Sequence, residues 1–295
     1  MGGVLAIGSY NRDTVLRLER FPVPGETMTA LGVAEFHGGK GSNQAVAAAR
    51  AGGRVGMIAA IGADAAGQAA RALWAEEGIA AEAVQATQAP TGAATILLDA
   101  SGENQIIIIP GANAALTLPP GFTPPDDIAV VLAQLETPQA ATAALFRSLT
   151  GARRILNVAP AAPITPELLS VTDMLVLNQT EAAILAQREA EPAALALALA
   201  AETMRDVIVT AGAIGAFWAR PDGVVIGAAP PCVTVVDSTG AGDAFLGAFA
   251  AFSTEGFKPE KTLRLAVTAG ALACTREGAV PSLPYRAAIL ALPGH

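Results

Sequence analysis

The chain has 295 residues, 52% of them hydrophobic and 15% charged, with 30 Gly and 20 Pro. That much apolar side chain buries enough surface to offset ordering entropy, which excludes a disordered, collagen-like or low-complexity chain. A formal charge of −8 repels phosphodiester backbones, so nucleic acid is excluded as a partner, and any anionic ligand needs a local positive device.

At the N-terminus, no basic stretch with a cleavage site opens the chain, and Met1-Gly2 is followed by Ala6 where myristoylation requires Ser or Thr. Val4–Gly8 is a short apolar run closed by glycine, Ser42–Arg50 is alanine-rich and helical, and Arg54–Ile61 is again short and apolar. Ala65–Glu77 reads as a helix with Ala69, Leu73 and Trp74 on one face. Ile128–Leu132, Ile155–Val158, Met174–Leu177 and Val207–Thr210 are short and mostly β-branched, with helical segments between them. Apolar strands alternating with helices predict an α/β fold around a mostly parallel sheet buried on both faces.

Residues 10–36 and 91–109 break this rhythm. They carry strand patterns at Glu26–Ala30, Val33–Phe36, Thr91–Asp99 and Gln105–Ile109, with a turn at Ser101-Gly102-Glu103-Asn104 and no helix. Strands at hairpin spacing pair antiparallel, so a small separate sheet is expected to project from the main domain. The four isoleucines Ile106–Ile109 are too apolar for a solvated edge and call for a ligand or a second subunit over them. The longest apolar run, Ala193 to Ala201, is mostly alanine and far short of the ~18 residues of a membrane span. Cys232 and Cys274 have no metal spacing and read as small buried hydrophobes. His37 and His295 are the only histidines, which leaves no basis for a His-based triad or a His-rich metal site. The chain reads as one soluble, cytoplasmic domain over 1–295.

Chemistry concentrates in two glycine-rich segments. In Val236-Asp237-Ser238-Thr239-Gly240-Ala241-Gly242-Asp243, a β-branched run at Val233–Val236 reads as an entering strand. A helix with Phe245, Phe249 and Phe252 on one face leaves it. Gly240 and Gly242 let main-chain N–H groups approach an anion, and Asp243 falls in the first helical turn beside it. A phosphate held by the Gly240-Ala241-Gly242 turn next to a carboxylate that accepts a hydroxyl proton is a phosphoryl-transfer arrangement. The same helix N-terminus is expected to keep Asp243 ionised. Taken alone, such a turn is equally a tight turn with a helix-terminal charge.

The second segment, His37-Gly38-Gly39-Lys40-Gly41-Ser42-Asn43-Gln44, also enters a helix, and Lys40 and Asn43 supply donors suited to a polyhydroxylated ligand. It is no Walker A loop, because Gly41 follows the lysine. Asn11 and Asp13 offer polar groups to hydroxyls or form an Asx-turn. Glu136, after an apolar strand at Leu132–Leu135, stands where a doubly wound sheet places ligands, or is an ordinary exposed carboxylate. Asn178 and Glu181 match a helix N-terminus as well as a metal or phosphate relay.

These segments, in this order, resemble the ribokinase branch of the PfkB carbohydrate kinases. Gly8-Ser9-Tyr10-Asn11-Arg12-Asp13, Gly111-Ala112-Asn113, Leu135-Glu136-Thr137-Pro138 and Thr275–Ser282 extend the resemblance from residue 4 to about 290. It implies a three-layer α/β/α domain with a β lid formed by 10–36 and 91–113, dimerised through the lids. It further implies ATP-dependent phosphorylation of D-ribose at O5. Ribose would be held by Asn11, Asp13, Gly39, Lys40, Asn43 and Glu136, with Asp243 as base. ATP would be held by Asn178, Thr210, Gly212, Gly215 and Gly242. Mg²⁺ would arrive with ATP, and a monovalent cation, K⁺, would sit at Asp237, Thr239, Ala273, Arg276, Gly278 and Ser282. Tyr10 and Arg12 depart from the family pattern beside the sugar residues and would narrow or recontact that site. Gln179 and Val267 depart near the nucleotide. Deoxyribose, ketohexose and nucleoside kinases, and a non-catalytic sugar-sensing relative, are the alternatives. A Rossmann dehydrogenase is excluded, since no Gly-x-Gly-x-x-Gly follows the first strand.

Overall fold

A computed structural model describes residues 2–119 and 121–292; Met1 and His295 lie outside them. Strands β1 (Gly3–Ile7), β2 (Asn11–Arg17) and β3 (Gly32–Gly38) precede helix α1 (Lys40–Arg50). Strands β4 (Val55–Ile58) and β5 (Ala60–Gly62) lead into α2 (Ala65–Glu76), followed by β6 (Gln85–Thr87), β7 (Gly92–Leu98) and β8 (Asn104–Ile109). The chain then alternates β9 (Ile128–Ala133), α3 (Gln139–Ser148), β10 (Arg153–Asn157), α4 (Pro166–Ser170), β11 (Met174–Asn178), α5 (Gln179–Ala186) and α6 (Pro192–Thr203). After β12 (Asp206–Thr210), β13 (Ala216–Ala219) and β14 (Val225–Ala228), helices α7 (Ala241–Ser253), α8 (Pro259–Ala273) and α9 (Arg286–Ala291) close it.

Among the described residues, eight strands form one sheet in the order β14-β13-β12-β11-β10-β9-β1-β4, parallel except for the β12–β13–β14 edge. Side chains alternate between its two faces, as a period of two requires. Val4, Ala6, Val130 and Leu132 pack under α1, α2, α7 and α8, whereas Leu5, Ile7, Val131 and Ala133 pack against α3, α5 and α6. The result is the three-layer α/β/α arrangement.

A second sheet of four strands, β3-β2-β7-β8, carries the segments that broke the helix–strand rhythm. Two of its features correct the sequence reading. Glu26–Ala30 is no strand: Pro22, Pro24 and Gly25 turn the chain there, and Glu26 is spent on Arg20 and the N–H of Val23. The partner of β3 is instead Asn11–Arg17, so Asn11 and Asp13 lie on a strand and form no Asx-turn. The sheet is also not wholly antiparallel. Two antiparallel pairs, β2–β3 and β7–β8, meet at a parallel β2–β7 junction, which the crossover through α1 and α2 allows. Ile106–Ile109 are all about half exposed on the edge strand β8.

The run Arg54–Ile61 divides into β4 in the main sheet and β5 in a small parallel pair with β6. The strand at Leu132–Leu135 ends at Ala133. Val233–Val236 forms no strand either, because Pro230 and Pro231 remove ladder donors as the chain leaves β14. Phe245, Phe249 and Phe252 are buried, each contributing roughly 1.5–3 kcal/mol of transfer free energy. Helices α1 and α7 touch through Gly247, whose missing Cβ would stand 2.5 Å from the Cβ of Ala47. That close approach aligns the two helix N-termini side by side.

Candidate active site

The carboxyl ends of β1, β9, β10, β11 and β12 converge on one rim, where a doubly wound sheet leaves its crevice. Asn157, Asn178 and Thr210 end β10, β11 and β12, and Gln134 to Glu136 follow β9. The N-termini of α1 and α7 face the same rim, bringing Asp243 to the side chains of α1. Asn43 Nδ2 donates to Asp243 Oδ2 at 3.0 Å, and Gln44 Nε2 donates to Asp243 Oδ1 at 3.0 Å.

Asp243 is buried, and burial pushes its proton affinity up against the opposing effect of Lys40, Asn43 and Gln44. This corrects the expectation that the helix N-terminus keeps it a weakly basic, readily ionised group: loss of hydration outweighs the helix end. The anion turn is also narrower in donors than the sequence implied. The Ala241 N–H is committed to Ser238 O at 3.2 Å, so in this turn, among the described residues, the N–H groups without a protein acceptor are those of Gly240, Gly242 and Asp243.

Two cavities meet here. One of about 230 Å³ is walled by Lys40, Asn157, Asn178, Glu181 and Asp243. The other, about 480 Å³, is lined by Pro230, Val235, Val267 and the glycines Gly212 and Gly215. Thr210, Ser238, Gly242 and Phe245 border both, so the turn before α7 is the partition between a polar chamber and an apolar one. Asn178 and Glu181 form a reciprocal capping box on α5, each side chain bonded to the other's N–H at 2.8 Å. Cys232 and Cys274 correct another expectation: the first is exposed, the second half-buried, and both line the apolar cavity.

On the other side of Asp243, Gly39 starts α1 with a φ of 84°, and its Cβ would stand 2.6 Å from Tyr10 Cα, so β2 can cross directly over the helix end only because this residue is glycine. Asn11 and Asp13 thereby reach the rim. Burial, helped by Glu136 and Asp243, pushes the Asp13 carboxyl up to about 7, with Lys40 opposing. Its Oδ1 is buried without a hydrogen-bond partner. Glu136 is half-buried rather than an exposed carboxylate, and its Oε2 accepts from Ser9 Oγ and, at 3.0 Å, from the Lys40 N–H that opens α1. Although burial opposes its charge, the carboxylates of Asp243, Glu136, Glu181 and Asp13 outweigh that and hold the Lys40 ammonium above its ordinary pKa.

Tyr10 and Arg12 do not enter this site. Tyr10 is fully buried, edge-on to Trp74 and bonded to His37 at 2.8 Å, while Arg12 projects from the opposite face of β2 to Glu35 at 2.7 Å. Beneath the turn, Asp237 Oδ1 accepts from the N–H and hydroxyl of Thr239, and Oδ2 accepts from Gly278 N at 2.8 Å. Burial opposes the charge, but these donors hold the Asp237 carboxyl below its usual range. Ser282 is buried, its hydroxyl on Ala279 O, and Ala273 ends α8 near the same loop. Sequence reasoning gave no role to the buried amides Gln44, Gln134 and Asn113 or to half-buried Asn157; Gln44 and Asn113 stood in quoted motifs, and the other two carried no signal.

Residues 1–286 match the model of the pfkB family carbohydrate kinases. The ribokinase of Haemophilus influenzae is 36% identical over 292 residues, covering 95% of this chain and 94% of that protein. Among solved structures, the ribokinase of Thermotoga maritima superimposes with a TM-score of 0.89 at 31% identity over 99% of both chains. The Arabidopsis thaliana ribokinase complexed with ribose and ATP does so at 0.90, with 31% identity over 98% of this chain and 97% of that one. Identity above 30% along nearly the whole length, joined to the same backbone, leaves one conclusion: this chain belongs to the PfkB family of carbohydrate kinases.

Proposed function

We propose that the protein transfers the γ-phosphoryl group of ATP to O5 of D-ribose, giving D-ribose 5-phosphate and ADP. The observation that carries this reading is the position of Asp243 in the wall of the polar cavity, next to Gly242, which borders both that cavity and the apolar one. The apolar chamber suits an adenine ring, with Asn178, Thr210, Gly212 and Gly215 on the nucleotide side. Asn11, Asp13, Gly39, Lys40, Asn43 and Glu136 surround the sugar. Asp243 accepts the proton of the 5-hydroxyl as the O5–P bond forms, and the bridging oxygen leaves with its electron pair on ADP. The free N–H groups of Gly240, Gly242 and Asp243 stabilise charge on the transferring group.

The polar chamber sets one ammonium against several carboxylates, so a bare triphosphate is repelled there. Mg²⁺ arriving with ATP would supply the missing positive charge, held mainly by phosphate and water oxygens, as its coordination preference favours. The loop of Asp237, Thr239, Ala273, Arg276, Gly278 and Ser282 offers an ionised carboxylate with main-chain oxygens, a donor set that fits a large monovalent cation such as K⁺. The four-stranded sheet acts as a lid over the sugar, and the isoleucines of β8 meet a second copy in a homodimer. The lid strands and the main sheet form a single domain. No helix among the described residues is long and apolar enough to cross a membrane; the cytoplasm, where ATP is at hand, is the proposed place of the reaction.

The deciding experiment is kcat/KM with ATP over D-ribose, 2-deoxyribose, a ketohexose and a nucleoside. A ribose value at least tenfold above the others is expected. Preference for another acceptor replaces the sugar, and binding without ADP formation replaces the catalytic reading altogether.

A further inference from the structure

Asn113 lies in the short 3-10 turn Gly111–Ala115 after β8, is 2% exposed, and touches neither cavity. Its side chain grips both main-chain groups of one residue. Oδ1 accepts from the N–H of Tyr10 at 3.0 Å, and Nδ2 donates to the carbonyl of Tyr10 at 3.0 Å. A main-chain N–H only donates and a carbonyl only accepts, so the amide has one possible orientation. The same Nδ2 donates to Asn11 Oδ1 at 2.8 Å. Gly92, paired with Asn11 across β2–β7, leaves room for this contact, because a Cβ there would collide with Asn113 Nδ2 and stand 2.5 Å from Asn11 Oδ1.

The polarity of the Tyr10 main chain is thereby passed through two side chains. Asn11 must turn its carbonyl inward to Asn113, which leaves its NH₂ group as the atom pair facing outward. That nitrogen has no protein partner and is not among the sealed, unpartnered atoms. Two residues along the same face of β2, Asp13 offers carboxylate oxygens. A donor beside an acceptor matches two neighbouring hydroxyls, one accepting from Asn11 while the other donates to Asp13.

We propose that Asn113 is a positioning and specificity-determining residue, which fixes Asn11 as a hydrogen-bond donor toward the sugar. The inference rests on the assignment of Asn11 to the sugar site. It requires that the identity of the outward atom, rather than the mere presence of a polar side chain, sets sugar affinity.

Asn11→Asp tests this with little change of shape. The inner oxygen still accepts from Asn113, and only the outward NH₂ becomes an acceptor. The KM for D-ribose at pH 8 is expected to rise about tenfold or more with the KM for ATP nearly unchanged, while the added buried carboxylate beside Asp13 lowers the melting temperature. Asn113→Ala is expected to raise the ribose KM similarly, and the double variant Asn11→Ala/Asn113→Ala to be no worse than Asn11→Ala alone. An unchanged ribose KM in Asn11→Asp overturns the proposal, whether or not Asn113→Ala folds. So do additive effects in the double variant, or equal rises in the KM for ribose and ATP. If the wild-type protein fails to phosphorylate ribose, the functional reading fails instead, and the two results are separable.

Discussion

Gln44 Nε2 sits 3.0 Å from Asp243 Oδ1 and 3.0 Å from Asn157 Oδ1, donating to both. Its own oxygen accepts from Gln134 at 2.6 Å, and Asn157 Nδ2 is tied to the carbonyl of Val176 at 3.0 Å. The carboxylate at one end and the main-chain carbonyl at the other fix the polarity of this buried amide chain. Gln44 therefore stabilises the charged form of a carboxyl group that burial disfavours. Replacing it by an apolar side chain removes that stabilisation, so Asp243 protonates at higher pH. In Gln44→Met the acid limb of the kcat/KM profile is expected to move upward by about one pH unit. A limb that stays in place disproves the coupling.

Asp243→Asn separates chemistry from folding. The introduced amide presents a donor where Asn43 or Gln44 already donates. Gln44 is pinned, but Asn43 has a buried Oδ1 with no partner, so a flip of its amide accepts the new N–H. The fold and the ribose affinity are expected to remain near those of the wild type, while kcat falls by about 10²–10⁴-fold through loss of the proton acceptor. Single-turnover assays with calorimetric ribose binding check both halves, and near-normal turnover removes Asp243 from the mechanism.

Six of the eight strands of the main sheet were legible because they are continuous apolar runs buried on both faces, whereas the antiparallel edge strands β13 and β14 and the strand order were not. Three of the four lid strands were legible, Thr91–Asp99 as β7 among them. Val33–Phe36 and Gln105–Ile109 show strand composition, but Asn11–Arg17 mixes Arg, Asp and Asn with apolar residues because neither face of that sheet is a closed core. Both glycine-rich turns were visible, since close main-chain approach demands a particular residue. The amides Gln44, Gln134, Asn157 and Asn113 were not, because a neutral side chain announces nothing until its partners, from 19 to 199 residues away, are brought to it. The state of Asp243 was misjudged for a related reason: a helix N-terminus is a sequence-local feature, whereas desolvation is contributed by the whole fold.

Asp13 predicts a pH effect on sugar binding. Its carboxyl is pushed up to about 7, so below that pH the folded protein carries it protonated, while an unfolded chain holds it ionised from about 3.8 upward. Between those values the folded state binds more protons, and the contribution of this group to stability falls as pH rises. The rise corresponds to at most ~4 kcal/mol at pH above 7, less because the residue is partly exposed. Asp13→Asn is accordingly expected to raise the melting temperature at pH 8 more than at pH 5. Ribose affinity should move in the opposite sense in the wild type, weakening as pH falls through about 7, because a charged acceptor bonds hydroxyls more strongly. A pH-independent ribose Kd between 5.5 and 8 contradicts this assignment.

Two glycines separate a structural requirement from a functional one. Gly39 adopts a φ of 84° and faces the main chain of Tyr10 and Asn11 at 2.6–2.7 Å, so Gly39→Ala must displace the start of β2. Lower stability and a raised KM for ribose are expected together. At Gly242 a Cβ meets no protein atom within 4 Å, so the fold tolerates Gly242→Ala without repacking. The added methyl group instead occupies the partition between the two cavities, against the N–H groups that are free to hold a transferring phosphoryl. Gly242→Ala should keep the wild-type melting temperature and ribose affinity while losing at least tenfold in kcat. Full activity in that variant would show that the phosphoryl group passes elsewhere, and a large drop in melting temperature would mean that the open space at residue 242 is filled by packing rather than by substrate.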